Sequence, residues 1–357
     1  MMSRGSDDSG ELVNTGRYIR VATALVLVGA TQGGTPVMAQ QFSAGYEALR
    51  IVDPAADRPI HLDVWFPVAG QQEEPHDYGF SLGSVVLGGS VAGDALPVVL
   101  LSPGAMGSAS NYSWIGQALA RHGYIVLGVS HFGESMVFGE DSIDPTSVAR
   151  FGDRTRDLNF ALDYFFTGSS YADTVDPDRL GAVGHSSGGA SIIMLAGGQF
   201  DAESLAAHCA TGAAATDKGC WFPVGGPDEL GAQRPVPSTR PIRTLVVLDP
   251  AVGPGFDASS LQPVAAPTLV IGSVQNDFLP HAYHAGRYAE LLPDAEAVEL
   301  DTGEGHFVYL DECGLPIKVM GVPLCADREG VVRAEVHERL VPIIESFLSR
   351  HLGARAR

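Results

Sequence analysis

A serine framed by two glycines, Gly184-His185-Ser186-Ser187-Gly188, is the stretch best suited to do chemistry. The apolar run 180–183 leads into it, and the apolar, helix-like run 189–196 leads away. G-x-S-x-G between a strand and a helix is the pattern of a nucleophile elbow. Such a turn is tight enough to strain the serine backbone, and side chains at positions 184 and 188 would strike the neighbouring strand and helix. It lifts Ser186 Oγ clear of the sheet and aims a helix N-terminus where negative charge develops on a reacting carbonyl.

A serine hydroxyl is a weak nucleophile until a base takes its proton, and the base needs a partner that fixes its tautomer. At an elbow of this kind the acid and then the histidine follow the serine along the chain. His306, in Gly303-Glu304-Gly305-His306-Phe307 just after the last short strand, is the expected base. Two aspartates end strands at the right edge: Asp277 in Gln275-Asn276-Asp277-Phe278, and Asp249 in Leu248-Asp249-Pro250-Ala251. Either can reach His306 Nδ1; Asp277 is the preferred acid and Asp249 the alternative, turn or helix capping being the ordinary role of each. The oxyanion donors are expected to be the N–H of Ser187 and one near Ala105, in the turn after the run 97–101. His185 is expected to pack inside the elbow. His281 and His284 at a helix start, and His337 and His351 on the last helix, fit surface or packing roles. A metal set of Asp277, His281 and His284 is disfavoured, because H-x-x-H without the glutamate matches no zinc signature; no metal or other cofactor is expected.

These groups must be carried by a sheet. Residues 46–52 and 60–66 read as an antiparallel pair, and 71–94, polar and glycine-rich, as an exposed loop. Buried strands are expected at 97–101, 124–129, 180–183, 244–248, 267–271 and 297–300. Helices fall at 112–122, 148–166, 284–292 and 331–352. On the second of these, Leu158, Ala161, Leu162 and Phe165 form the apolar stripe, with Arg154, Asp157 and Asp163 placed elsewhere. Short apolar strands alternating with amphipathic helices predict an α/β protein: a mostly parallel, doubly wound sheet with helices on both faces. Segment 199–243 breaks the alternation and reads as a lid-like insertion before the sixth core strand. With no repeat and no second core, residues 40–357 are expected to form one domain.

The chain has 357 residues, 45% of them apolar, enough for a full core. Its 42 acidic and 22 basic residues give a net charge of −20, which argues against nucleic acid and anionic lipid as partners. Arg17 and Arg20 precede an apolar stretch, and Val37-Met38-Ala39 offers a cut ahead of Gln40, so residues 1–39 are expected to be an export signal. The apolar run is too short for a stable membrane anchor. Four cysteines suit an oxidising compartment, secreted or periplasmic, with sequence-local bridges Cys209–Cys220 and Cys313–Cys325.

Six pieces in order resemble one family: Pro103-Gly104-Ala105; Asp157-Leu158 with Phe160-Ala161-Leu162-Asp163; Gly184-His185-Ser186-Ser187-Gly188-Gly189; Leu248-Asp249-Pro250-Ala251; Asn276-Asp277 with Pro280; and Gly305-His306-Phe307. Together they look like an α/β-hydrolase of the predicted dienelactone hydrolase group, similar to platelet-activating-factor acetylhydrolases and bacterial polyester hydrolases. The resemblance implies the α/β-hydrolase fold and cofactor-free hydrolysis of small or polymeric carboxylic esters through an acyl-enzyme. It implies Asp277 as acid by the polyester-hydrolase pattern and Asp249 by the acetylhydrolase pattern. Ser186 stands where true dienelactone hydrolases carry a cysteine. The competing readings are an amidase or peptidase with the same triad, and a non-catalytic hydrolase-fold binding protein.

Overall fold

The computed structural model describes residues 18–19, 42–222 and 234–353. Apart from Tyr18–Ile19, the expected export segment 1–39 lies outside the described residues, as do positions 223–233 of the insertion.

Strands β1 (Tyr18–Ile19), β2 (Ser43–Asp53), β3 (Arg58–Val68), β4 (Glu74–Asp77), β5 (Leu82–Leu87), β6 (Leu96–Ser102), β7 (Ile125–Ser130), β8 (Val175–His185), β9 (Thr244–Leu248), β10 (Thr268–Ser273) and β11 (Ala295–Leu300) form one sheet. Its order is β1-β11-β10-β9-β8-β6-β7-β3-β2-β5-β4. From β7 through β11 every pairing is parallel, while β3 runs antiparallel to both β2 and β7. The polar stretch 71–94 is therefore more than a loop: β4 and β5 pair antiparallel, and β5 joins β2 at Gly45–Val86 and Tyr46–Leu87. β4, Glu74-Pro75-His76-Asp77, is the outermost strand and needs little apolar content, while β5 next to it is a short apolar run set among glycines, so the stretch as a whole reads as loop.

Side-chain alternation puts Val98 and Leu100 of β6 in one core cluster and Val99 and Leu101 in the other, on opposite faces of the sheet. Helices α2 (Phe151–Thr167) and α3 (Ser187–Leu195) cover the first face through Leu158, Leu162, Ile192 and Ile193. Helix α1 (Ser113–Arg121) and the closing helix Arg333–Leu352 cover the second through Ile115, Leu119, Leu340 and Phe347. Arg154 and Asp157 do not lie away from the apolar face of α2; both are 1% exposed, whereas Asp163 reaches solvent.

Both expected disulfides are present, with Cα–Cα distances of 5.4 Å for Cys209–Cys220 and 5.1 Å for Cys313–Cys325. In the insertion, Asp201 caps α4 (Ala202–Cys209) by accepting from the Glu203 N–H. Leu205 of that helix is buried against the main core. Asp217 fastens the insertion to the sheet domain: its Oδ2 lies 2.9 Å from His208 Nε2 and 2.9 Å from His284 Nε2. No described helix is long and apolar enough to cross a membrane.

Candidate active site

Ser186 sits between the end of β8 and the start of α3 with φ 55° and ψ −121°, a strained conformation for a side chain with a Cβ. The flanking glycines are steric necessities. A Cβ at Gly184 would lie 2.5 Å from the Gly188 carbonyl carbon, and one at Gly188 would lie 2.0 Å from Ser102 O. The turn is held by Ser186 N–H donating to Leu248 O at 2.9 Å, and by Ala251 N–H donating to Ser186 O at 3.0 Å.

His306 Nε2 lies 3.0 Å from Ser186 Oγ. The two residues are 120 positions apart in the chain, and the sheet edge brings them together. Burial lowers the His306 pKa to about 3, the Asp277 charge opposing and His284 adding to the shift. A buried neutral imidazole is a proton acceptor at physiological pH.

The two aspartates take different positions. Asp249 is buried and strained (φ 40°); its Oδ1 accepts from the Ser273 N–H at 2.8 Å. Its Oδ2, buried without a hydrogen-bond partner, lies 3.8 Å from His306 Nδ1. Burial raises the Asp249 pKa to about 7, against the lowering effect of hydrogen bonds from Ser273 and Asn276. Asp277 instead accepts from the His306 backbone N–H at 3.0 Å and pairs with Arg328 at 3.4 Å. The Asp277 carboxylate thus meets the His306 main chain, where the expectation had it meet the ring nitrogen. The turn after β10 directs its carboxylate at the main chain, past Gly305, where a Cβ would sit 2.9 Å from both carboxylate oxygens.

In the Pro103–Gly107 turn, Gly104 N–H donates to Tyr112 Oη at 2.9 Å and Met106 N–H to Glu134 Oε2 at 3.2 Å. The N–H of Ala105 lies between them, and among the described residues neither it nor the N–H of Ser187 is engaged by a protein acceptor. Two donors are thus left for an oxyanion, the second at the N-terminus of α3.

Several residues around the site carry no motif. Tyr112 Oη lies 2.8 Å from His185 Nδ1, and His185 Nε2 lies 3.0 Å from His306 O. His185 therefore does more than pack: with its pKa well below the usual histidine value through burial, the neutral ring accepts from Tyr112 and donates to His306 O. Arg154 reaches Glu134 at 2.6 Å, Ser191 Oγ at 2.9 Å and the Pro103 carbonyl, so a buried ion pair braces the Pro103–Gly107 turn. Asn276 Oδ1 accepts from the Phe278 and Leu279 N–H groups, which leaves its NH2 facing His306 Nδ1 at 3.3 Å. A second Ser–His–Asp row, Ser102 Oγ to His131 Nε2 at 3.4 Å and His131 Nδ1 to Asp157 at 2.9 Å, is sealed in the core. Arg58 caps its aspartate, and the row serves as structure.

Asp277, His281 and His284 do not converge on a metal position, since His284 is turned toward Asp217. His208, Asp217 and Cys220 do lie close together, but Cys220 is bonded to Cys209.

Ser186 opens on two spaces. A wide cleft of about 600 Å³ runs past Ala105, His306, Phe307 and Leu315, and a narrow apolar pocket of about 40 Å³ lies toward the insertion.

A family model described as PETase, PET hydrolase-like, matches residues 66–211. Cutinase est1 of Thermobifida alba is 33% identical over 100 residues, 28% of this chain and 29% of the cutinase. Cutinase 1 of Thermobifida cellulosilytica is 25% identical over 228 residues, 62% of this chain and 63% of the cutinase. Bis(hydroxyethyl) terephthalate hydrolase of Streptomyces coelicolor is 29% identical over 118 residues, 33% of this chain and 34% of that one. The chain thus spans less than a third of the length of the Thermobifida alba cutinase it matches. Ferulic acid esterase from Streptomyces cinnamoneus superposes with a TM-score of 0.58 at 21% identity, covering 90% of this chain and 93% of that one. By fold this chain is an α/β-hydrolase, and in sequence it is similar to the PET hydrolase-like family.

Proposed function

We propose that the protein is a serine carboxylic ester hydrolase acting through Ser186, His306 and Asp249. The observation that carries this reading is the 3.0 Å contact between His306 Nε2 and Ser186 Oγ on a strained elbow. Ser186 Oγ attacks the ester carbonyl carbon as its proton passes to His306 Nε2. The oxyanion takes hydrogen bonds from the N–H groups of Ala105 and Ser187. His306 then gives the proton to the departing alkoxide, leaving an acyl-enzyme and free alcohol. Water, deprotonated by the same imidazole, attacks the acyl carbon; the acid leaves and Ser186 regains its proton.

Asp249 is the proposed acid because its unpartnered Oδ2 faces His306 Nδ1, a contact that shortens when the ring becomes imidazolium. Asp277 holds the His306 main chain, and therefore the ring, in place. Export is supported by two disulfides, which persist in oxidising compartments. Residues 40–357 are proposed to work as one catalytic domain, and the cleft is wide enough for a small or a polymeric ester.

Labelling with diethyl p-nitrophenyl phosphate tests the reading. The wild-type protein is expected to gain one diethylphosphoryl group and Ser186→Ala none, with p-nitrophenyl butyrate hydrolysis lost in the same variant. An unlabelled wild type that leaves the butyrate intact returns the chain to a binding role. Cleavage of the matched anilide at a rate equal to the ester makes it an amidase.

A further inference from the structure

The two spaces beside Ser186 are unequal, and the chemistry decides which part of an ester enters each. The leaving oxygen must come within hydrogen-bond reach of His306 Nε2. His306 lines the wide cleft and not the narrow pocket, so the alcohol lies on the cleft side; Ala105 lines the cleft and Ser187 the narrow pocket, so an oxyanion between their N–H groups sits where the two spaces meet. The acyl substituent is the arm that needs neither His306 nor the oxyanion donors; lying across that junction from the alcohol, it points into the narrow pocket.

That pocket offers about 40 Å³ to the centres of water-sized groups, room for roughly three of them. Phe200, Leu205, Gly219 and Phe222 of the insertion form one wall, and Val148 and Ala149 stand among the residues of the sheet domain. The described insertion wall is tied down at several points. Cys209 is bonded to Cys220, Leu205 is 3% exposed, and Asp217 joins His208 to His284. The cleft is about fifteen times larger and is walled by Leu315, Ile317, Val319 and Leu324, all within the segment closed by Cys313–Cys325.

We propose that the insertion makes the site selective for esters of short acyl groups, about two to four carbons, on bulky apolar alcohols. This rests on the ester-hydrolase reading. Isomeric esters separate size from lipophilicity: octyl acetate and ethyl octanoate have the same composition but exchange their long and short arms. The wild type is expected to give kcat/KM at least about tenfold higher for octyl acetate. Across p-nitrophenyl acetate, butyrate, hexanoate and octanoate, it should fall at least about tenfold beyond butyrate. Leu205→Ala is expected to move the optimum to a longer acyl chain, and Ala149→Leu to depress butyrate relative to acetate. The second variant fills the pocket from the opposite wall and keeps the test open should the first loosen the insertion. Equal rates for the two isomers, or a preference for ethyl octanoate, overturn the proposal. If ethyl octanoate is preferred while diethyl p-nitrophenyl phosphate still labels Ser186, the pocket assignment alone falls. If neither ester nor phosphate reacts, the ester-hydrolase reading falls with it.

Discussion

The ends of β9 and β10 each bring an aspartate to His306, and the two differ in almost every physical respect. Asp249 is fully buried, strained and short of one hydrogen-bond partner, with that free oxygen toward the ring. Asp277 is part-exposed, shared with Arg328, and bonded to the histidine main chain. In the proposed mechanism the imidazolium of His306 supplies the partner that the buried Asp249 oxygen lacks. Asp277, solvated and already paired, is a fastening. Nearness to His306 is common to both; the unpartnered oxygen of Asp249 separates them.

Substitution tests that contrast directly. Asp249→Asn is expected to lower kcat on p-nitrophenyl butyrate by about 10³–10⁴ with KM little changed, because the amide cannot stabilise imidazolium. A larger loss in Asp277→Asn would exchange the roles. The pH profile sharpens the contrast. With Asp249 pushed up to about 7 and His306 down to about 3, kcat/KM should fall as pH drops through about 7, as the carboxylate takes up a proton. Asp249→Asn should lack that limb, and Asp277→Asn should keep it. Asp277→Asn still offers an oxygen to the His306 N–H, so its loss should stay within about tenfold. The smallest effect is on stability. A carboxyl whose folded pKa is raised favours folding fully below its ordinary value, and that contribution is lost as pH rises through about 7. Asp249→Asn should therefore melt a few degrees higher than wild type at pH 8, with the gap closing toward pH 5.

The strands were legible because a parallel sheet covered on both faces demands unbroken apolar runs, as in Val98 to Leu101. Ser186 and His306 were legible because the elbow's glycines and the glycine-flanked histidine answer to local sterics. Which of Asp249 and Asp277 turns a carboxylate oxygen toward the ring was not. Both end strands at the same edge, and the direction of a side chain beyond a strand depends on the turn that follows. β4 was hidden by its polar edge composition, and β5 by Gly83, Gly88 and Gly89, which interrupt and follow its short apolar run. Arg154 was misplaced although a signal existed: it lies four residues before Leu158 and eight before Leu162, on the same helical face. A charge in that row is a sign of a buried polar network, here the one bracing the Pro103–Gly107 turn.

The row Gly104, Tyr112, His185, His306 has a kinetic meaning. Two imidazoles and a phenol tie the turn that, in the proposed mechanism, steadies charge to the loop that would shuttle protons. On that mechanism a displacement of either end would pass through the shared hydrogen bonds to the other, and a ligand wedged beneath Tyr112 would disturb both at once.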